Sequence, residues 1–390
     1  MSLSPFLLLC TTGFFAIFSS TISKSPVLPL FASRLGADPA GVGFIASVSA
    51  FAGVAFSIPA GILSDRLGKK KMLLISSVIF SSAPFLYLYV TKLWQLAIIR
   101  FYHGFATAIF MPVAMALVSE LFHRERGEKM GWFSTATLAG RFLAPVTGGI
   151  IISALAFDAA LSYRFVYIVC GIAGVSAFLF AFRIPEPVKV KNKAQPWKET
   201  FSSFSDVLTN KDILIASAVE AFILFAYGTF ETFLPLYSLK KGLTPYEVGI
   251  FLSAQVITLA LSKPATGKFS DRHGRQSQIF GGALVGAACI GAFSFFSSFV
   301  PLLLLSMAFG LSLSIVTSAT SAYIADLSNM ESRGSAMGLL GSVMDIGHTA
   351  GPLVSGFIAG LWGYPHAFVT ASVLLFSAAL IFKAAQKWIA

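Results

Sequence analysis

The chain has 390 residues, of which 56% are hydrophobic and 12% charged, with a formal net charge of +11 and a mean hydropathy of +0.80. A soluble globular domain carries about 25% charged residues, so this composition excludes a soluble fold and points to helices immersed in lipid.

A bilayer core needs about 20 apolar residues per helix. Uncharged runs of that length lie between Asp38 and Asp65, between Lys71 and Lys92, and between Arg164 and Arg183. The run from Gln276 to Ala325 has no charge for 50 residues, which predicts two spans parted near Ser297-Ser298 and Pro301. In chain order the predicted spans are 6–31, 40–63, 72–91, 94–119, 130–153, 165–184, 212–237, 246–268, 277–297, 300–325, 335–358 and 365–386. Connections this short make consecutive helices antiparallel neighbours. A barrel is excluded because its strands alternate apolar and polar over about 10 residues. The N-terminus has neither a basic n-region nor a small-residue cleavage site, so the first helix is expected to stay. Cys10, Cys170 and Cys289 all fall inside predicted spans, and their spacing implies neither a metal site nor a disulfide framework.

The basic excess follows the membrane faces. With the N-terminus inside, nineteen Lys and Arg fall on the cytoplasmic side, and only Arg34, Lys92, Arg164, Lys240 and Lys241 outside. That is the positive-inside bias. It predicts a multi-pass protein of the plasma membrane (the inner membrane in a Gram-negative bacterium) with both termini cytoplasmic. The excess charge then meets anionic lipid, and nucleic acid is not an expected partner.

The chain repeats itself. Residues 61–69, GILSDRLGK, match 267–275, GKFSDRHGR, at an offset of 206. Leu28-Pro29-Leu30-Phe31 matches Leu234-Pro235-Leu236-Tyr237 at the same offset, and RGEKMG at 126–131 matches RGSAMG at 333–338 at 207. An even number of spans per copy keeps both copies in one orientation, as parallel repeats about an axis along the membrane normal. The predicted organisation is a six-helix bundle over 1–184, a cytoplasmic linker over 185–211, and a second six-helix bundle over 212–390. Within the linker, Trp197, Phe201, Phe204 and Leu208 recur at helical spacing, which fits either an amphipathic surface helix or a partly ordered loop.

Three motifs carry a family resemblance. GILSDRLGKKK between spans 2 and 3, with Gly61, Asp65, Arg66 and Gly68, resembles the loop signature of the major facilitator superfamily, as does its copy with Gly267, Asp271, Arg272 and Gly274. In that family the loop latches the cytoplasmic gate. Arg100-Phe-Tyr-His-Gly104 resembles the family's R-x-x-Q-G motif, which is linked there to proton transfer; His103 stands where Gln is usual. Gly131, Gly140, Ala144, Pro145, Gly148 and Gly149 in span 5 resemble the antiporter signature G-x8-G-x3-G-P-x2-G-G, with Ala144 replacing one glycine. Gly338, Gly347, Gly351-Pro352 and Gly356 repeat that pattern in span 11, with Ser355 in one glycine position. The signature marks the drug:proton antiporter branch. Arg141 within it departs from the usual apolar residue and would suit an anionic substrate.

Charges inside spans are expensive and mark function by default. Lys24 in span 1 and Glu231 in span 7 lie at nearly the same depth of the repeat, since Glu231 corresponds to Ser25. The family's spans 1 and 7 line its central cavity. The two side chains either carry the coupling proton there or clamp the halves together. Asp345 and His348 share one helical face in span 11 and either relay protons or pack as a satisfied pair. Glu220, Lys263, Glu120 and Asp326 lie near cytoplasmic span ends and are expected to be interfacial.

The resemblance implies an all-α membrane protein of the major-facilitator type, with twelve transmembrane helices. The implied function is secondary active export of a small organic molecule in exchange for protons. Lys24, Arg100 and Arg141 keep open transport of an organic anion. A non-transporting receptor or scaffold is the rival of another class, opposed by gate motifs in both copies. No nucleotide-binding motif of the G-x-x-x-x-G-K-[ST] kind occurs, so ATP is not the direct driver. No nucleophile–base constellation suggests an enzyme, no cofactor is expected, and the protein is expected to act as a monomer.

Overall fold

Lipid offers the backbone no hydrogen-bond partners, so a chain crossing it must satisfy its own groups. This one does so with helices. The computed structural model describes residues 4–122, 125–186, 210–328 and 333–387. Its helices are α1 (Pro5–Ile22), α2 (Val27–Arg34), α3 (Pro39–Leu67), α4 (Lys69–Leu86), α5 (Leu93–Leu121), α6 (Arg126–Ala154), α7 (Ala159–Arg183), α8 (Lys211–Lys240), α9 (Pro245–His273), α10 (Arg275–Ala292), α11 (Phe299–Leu327), α12 (Arg333–Trp362) and α13 (Tyr364–Lys387). A short 3-10 turn, Tyr87–Tyr89, follows α4. Taking α1 and α2 as one crossing, these helices occupy the twelve predicted spans, and ten of the crossings are both long and apolar enough for a bilayer.

Two boundaries differ from the sequence reading. The first span is not one helix: α1 stops at Ile22 and α2 begins at Val27. Pro26 lies between them and has no N–H to continue the ladder. Spans 9 and 10 part across Ser297-Ser298 as expected, but α10 already ends at Ala292, short of the predicted 297, and α11 starts at Phe299. Pro301 then sits in the first turn of α11, where its missing donor costs nothing. The aromatic-spaced segment of the linker lies outside the described residues.

The helix ends are set by local chemistry. Asp158 caps α7 by accepting from the Ala160 and Leu161 amides, and Asn210 caps α8 through Asp212 and Ile213. The turns between α3 and α4 and between α9 and α10 each pivot on one residue, Gly68 at φ +95° and Gly274 at φ +88°. Only glycine takes that backbone without strain.

The chain divides into two compact units. The first comprises Met1–Ala37, Val48–Ala194 and Thr244–Ser253; the second comprises Asp38–Ser47, Gln195–Leu243 and Ala254–Ala390. In the first, α1 lies directly on α6: a Cβ on Gly140 would sit 2.5 Å from the Phe14 carbonyl oxygen. In the second, α8 lies on α12 in the same manner, a Cβ on Gly347 falling 2.1 Å from the Ala221 carbonyl oxygen. Gly140 and Gly347 are 207 apart, and so are Phe14 and Ala221. The duplication read in the sequence therefore recurs as duplicated helix packing. Ion pairs repeat as well: Lys69 pairs with Glu120, and Arg275 Nε lies 2.6 Å from Asp326 Oδ2, each partner displaced by 206.

Candidate functional site

In the second unit, three close approaches press α8 against α12. Gly347 faces the Ala221 carbonyl, Gly351 faces the Phe225 carbonyl, and Gly228 faces Pro352 and the His348 carbonyl. Small residues are what let membrane helices approach this closely. The Thr229 and Ser355 hydroxyls bond across the seam at 2.7 Å. The glycine pattern of span 11 therefore builds a seam, and Ser355 strengthens it where a glycine would only make room.

The seam brings an acid and a base together. His348 Nε2 lies 3.2 Å from Glu231 Oε2, and the pair is largely buried, the two side chains being 20% and 10% exposed. The Tyr227 ring stacks on the His348 imidazole with centroids 5.4 Å apart, which fixes the plane of the ring. The sequence reading grouped Glu231 with Lys24 and His348 with Asp345. The structure adds a contact that neither grouping contained, because it depends on how α8 and α12 are rotated about their axes. Asp345 lies one turn before His348 on α12 and is half-buried; its backbone carbonyl accepts from the Thr349 hydroxyl. Lys24, half-buried just after α1, belongs to the first unit.

Glu220 was expected at an interface. It is instead fully buried on α8, with neither carboxylate oxygen hydrogen-bonded. The Thr320 hydroxyl lies beside it without reaching bonding geometry. The apolar residues around Glu220 in sequence already suggested burial; its nearness to the cytoplasmic end of the span obscured it. Lys263 on α9 is exposed, and Glu120 and Asp326 take part in the repeated ion pairs.

In the first unit, Arg100 and His103 lie one turn apart on α5, each 2% exposed. Arg100 Nη1 is 3.5 Å from the Tyr87 hydroxyl. Arg141 on α6 is exposed. In the antiporter-type motif, Ala144 is fully buried, and Gly149 lies against the Pro245 carbonyl at the start of α9. Ser253 of α9 donates to the Phe142 carbonyl at 2.8 Å and accepts from the Val146 amide at 3.2 Å. Its hydroxyl thus enters the α6 ladder beside Pro145, where a proline has weakened it. Gly131 and Gly148 play looser parts: nothing lies within 4 Å of a Cβ on the former, and the Val27 side chain lies 3.2 Å from one on the latter.

The gate motifs keep their turns, through Gly68 and Gly274. Asp271 pairs with Arg275 at 3.3 Å, while Arg66 and Arg272 are exposed and Gly267 has open space around it. The Asp65 and Gly61 side-chain positions lie outside the described residues. A cavity near the first motif is lined by Lys69, Met115, Ser119, Glu120, Arg126 and Met130. Among the described residues, no three His, Cys, Asp or Glu side chains gather to hold a metal ion.

An all-α bundle of apolar helices, duplicated in sequence and in packing, with an acid–base pair buried in a helix seam, defines a polytopic membrane protein of the transporter class. The sequence profile of the Major Facilitator Superfamily matches residues 9–254 and 241–387, and the chain belongs to that family. It is 27% identical over 345 residues to an uncharacterized MFS-type transporter of Methanocaldococcus jannaschii, covering 87% of each chain. It is 26% identical to the multi-drug resistance efflux pump PmrA of Streptococcus pneumoniae, over 93% of this chain and 90% of that one. It is 24% identical to the quinolone resistance protein NorA of Staphylococcus aureus, over 88% and 87%. Among solved structures, the inward-facing, unoccupied bacterial homolog of the human lysosomal transporter Spinster matches with a TM-score of 0.82 at 15% identity, over 98% of this chain and 96% of that one. The nucleoside transporter NupG also matches at 0.82, with 16% identity, over 98% and 99%. These structures share the fold.

Proposed function

We propose that the protein exports a small organic molecule in exchange for protons by alternating access, with Glu231 and His348 as the group that takes up and releases the coupling proton. The observation that carries this reading is the buried contact between the Glu231 carboxylate and the His348 imidazole. Facing each other, the two side chains share charge and a hydrogen bond. Drawn apart, Glu231 loses this share of its stabilisation, and binding a proton becomes a less costly way to hold the carboxyl within a span. A conformational change that opens or closes the contact therefore changes how many protons the site holds, which is the requirement for coupling.

The direction of transport rests on the efflux pumps among the relatives. The antiporter-type motif of span 5 supports the same reading, as do the gate motifs at Asp65 and Asp271. In this reading the protein sits in the plasma membrane as a monomer, with both termini and the 185–211 linker cytoplasmic. The test is flux of a panel of fluorescent organic dyes in proteoliposomes, with and without an imposed pH gradient. Proton exchange requires that at least one dye move against its gradient only when the pH gradient is present. Flux indifferent to pH for every transported dye contradicts the proposal.

A further inference from the structure

The core of the first unit holds a positive charge that none of the described acidic side chains balances. Arg100 is 2% exposed, and its recorded polar partner is the Tyr87 hydroxyl, at the long distance of 3.5 Å. Its Nε–H has no acceptor. His103 is as deeply buried, and neither of its ring nitrogens has a partner. Tyr167 on α7 is 1% exposed with an unpartnered hydroxyl, and its ring stacks on Tyr87 with centroids 4.4 Å apart. The His103 ring lies 6.0 Å from the Tyr87 ring. Three polar side chains, Arg100, His103 and Tyr167, thus gather around Tyr87. The carboxylates described in this unit are engaged elsewhere or exposed: Glu120 with Lys69, Glu125 and Glu128 with Lys129, Asp158 at the α7 cap, Glu247 at the α9 start, and Glu186 in the open.

The fold itself does not require this cluster. At the offset of 206, Tyr87, Arg100 and His103 correspond to Phe293, Ser306 and Phe309. Phe293 and Phe309 each pack 5.4 Å from Phe230, and the Ser306 hydroxyl is bonded to its own helix at the Leu302 carbonyl. The second copy fills the same positions with hydrocarbon and one satisfied hydroxyl. The first copy carries a guanidinium, an imidazole and phenols, at a cost in desolvation that packing alone does not repay.

We propose that Arg100, His103, Tyr87 and Tyr167 form a binding site for a small monovalent anion of the halide type. The ligand class follows from donor arithmetic. Arg has five donors and no acceptor, whereas each tyrosine hydroxyl and the imidazole ring can both donate and accept. The cluster is therefore short of acceptors and carries one positive charge. A water molecule would supply lone pairs but add two protons needing acceptors of their own. A halide supplies lone pairs alone and cancels the charge. Phe80 and Phe110 close the apolar wall beside His103, their rings 5.7 Å apart and Phe80 5.8 Å from the imidazole, which favours a monatomic ligand over an organic carboxylate.

The experiment is thermal unfolding of the purified full-length protein in sodium chloride, sodium bromide or sodium gluconate at equal ionic strength, over a range of concentrations. Anything that binds the folded state raises its stability, by an amount that grows with the logarithm of ligand concentration once that exceeds the Kd. The proposal requires a Tm that rises with the logarithm of chloride or bromide concentration and does not rise so in gluconate. Tyr167→Phe removes only the hydroxyl, and His103→Phe places the second copy's residue, Phe309, in the first. Each should raise the halide concentration needed for a given Tm increase by about tenfold or more, the loss expected for one hydrogen bond to a charged group. Arg100→Gln should abolish the response; if that variant does not fold, the two phenylalanine variants carry the test. Equal Tm in chloride and gluconate for the wild-type protein overturns the proposal. So does a halide response that is unchanged in Tyr167→Phe and His103→Phe.

Discussion

His348 on α12 reaches Glu231 on α8 at 3.2 Å where three glycines, Gly228, Gly347 and Gly351, bring the two helices into close approach. The contact between acid and base is thus a consequence of the helix seam, and changes to the seam should register at the pair.

Gly347→Ala tests that dependence. The added Cβ would lie 2.1 Å from the Ala221 carbonyl oxygen, and backbone cannot step aside as a side chain can. Overpacking of this kind costs about 1–3 kcal/mol or more. We expect a lower Tm and loss of pH-gradient-driven flux. Gly341→Ala on the same helix, with nothing within 4 Å of its Cβ, should leave both near wild type. Equal behaviour of the two variants would remove the seam from the account.

Ser253 and Ser47 are repeat counterparts with different duties. Ser253 bonds to both the Phe142 carbonyl and the Val146 amide of α6, whereas Ser47 bonds to the Gly43 carbonyl of its own helix at 2.6 Å. Ser253→Ala should therefore cost about 1–3 kcal/mol, the range for breaking buried hydrogen bonds. Ser47→Ala should cost clearly less. Comparing their Tm values decides the matter, and a larger loss from Ser47→Ala would contradict the bridging role.

Glu220 is a buried carboxyl without a hydrogen bond. Replacing an unsatisfied buried polar group by an apolar one of similar size is neutral or stabilising. Glu220→Met is expected to keep or raise the Tm. A fall of several degrees would show that the carboxyl makes a stabilising contact in the folded protein.

Orientation is tested by thiol labelling. In a background with Cys10, Cys170 and Cys289 replaced, Ser202→Cys in the linker should resist impermeant thiol reagents in intact cells, while Ala37→Cys should react. The reverse pattern would invert the topology drawn from the distribution of Lys and Arg.

Much of the fold was legible because lipid simplifies the code: a long uncharged run has few alternatives to a helix, and a duplicated motif fixes its counterpart. The break between α1 and α2 was missed because Pro26 falls inside an otherwise apolar run, and hydropathy does not register a lost backbone donor. The site was legible by type only. Glu231, His348, Arg100 and His103 were marked by being polar within spans, and the structure buries the last two and pairs the first two. Sequence spacing could set Asp345 beside His348 on one helix, but not Glu231 against His348 on two. Which residues face each other across a seam depends on helix rotation, and that is decided by glycine contacts between segments more than a hundred residues apart. Ser253 escaped notice for the same reason, since an isolated serine in a span more often bonds to its own helix, as Ser47 does.

Glu231→Gln tests the central claim most directly. The amide keeps the size and hydrogen-bonding capacity of the carboxyl but cannot exchange a proton near neutral pH. In proteoliposomes, Glu231→Gln should lose transport driven by a pH gradient while keeping exchange of labelled against unlabelled dye at equal pH. Gradient-driven transport at the wild-type rate in Glu231→Gln would contradict the account and leave Asp345 as the next carboxylate to substitute.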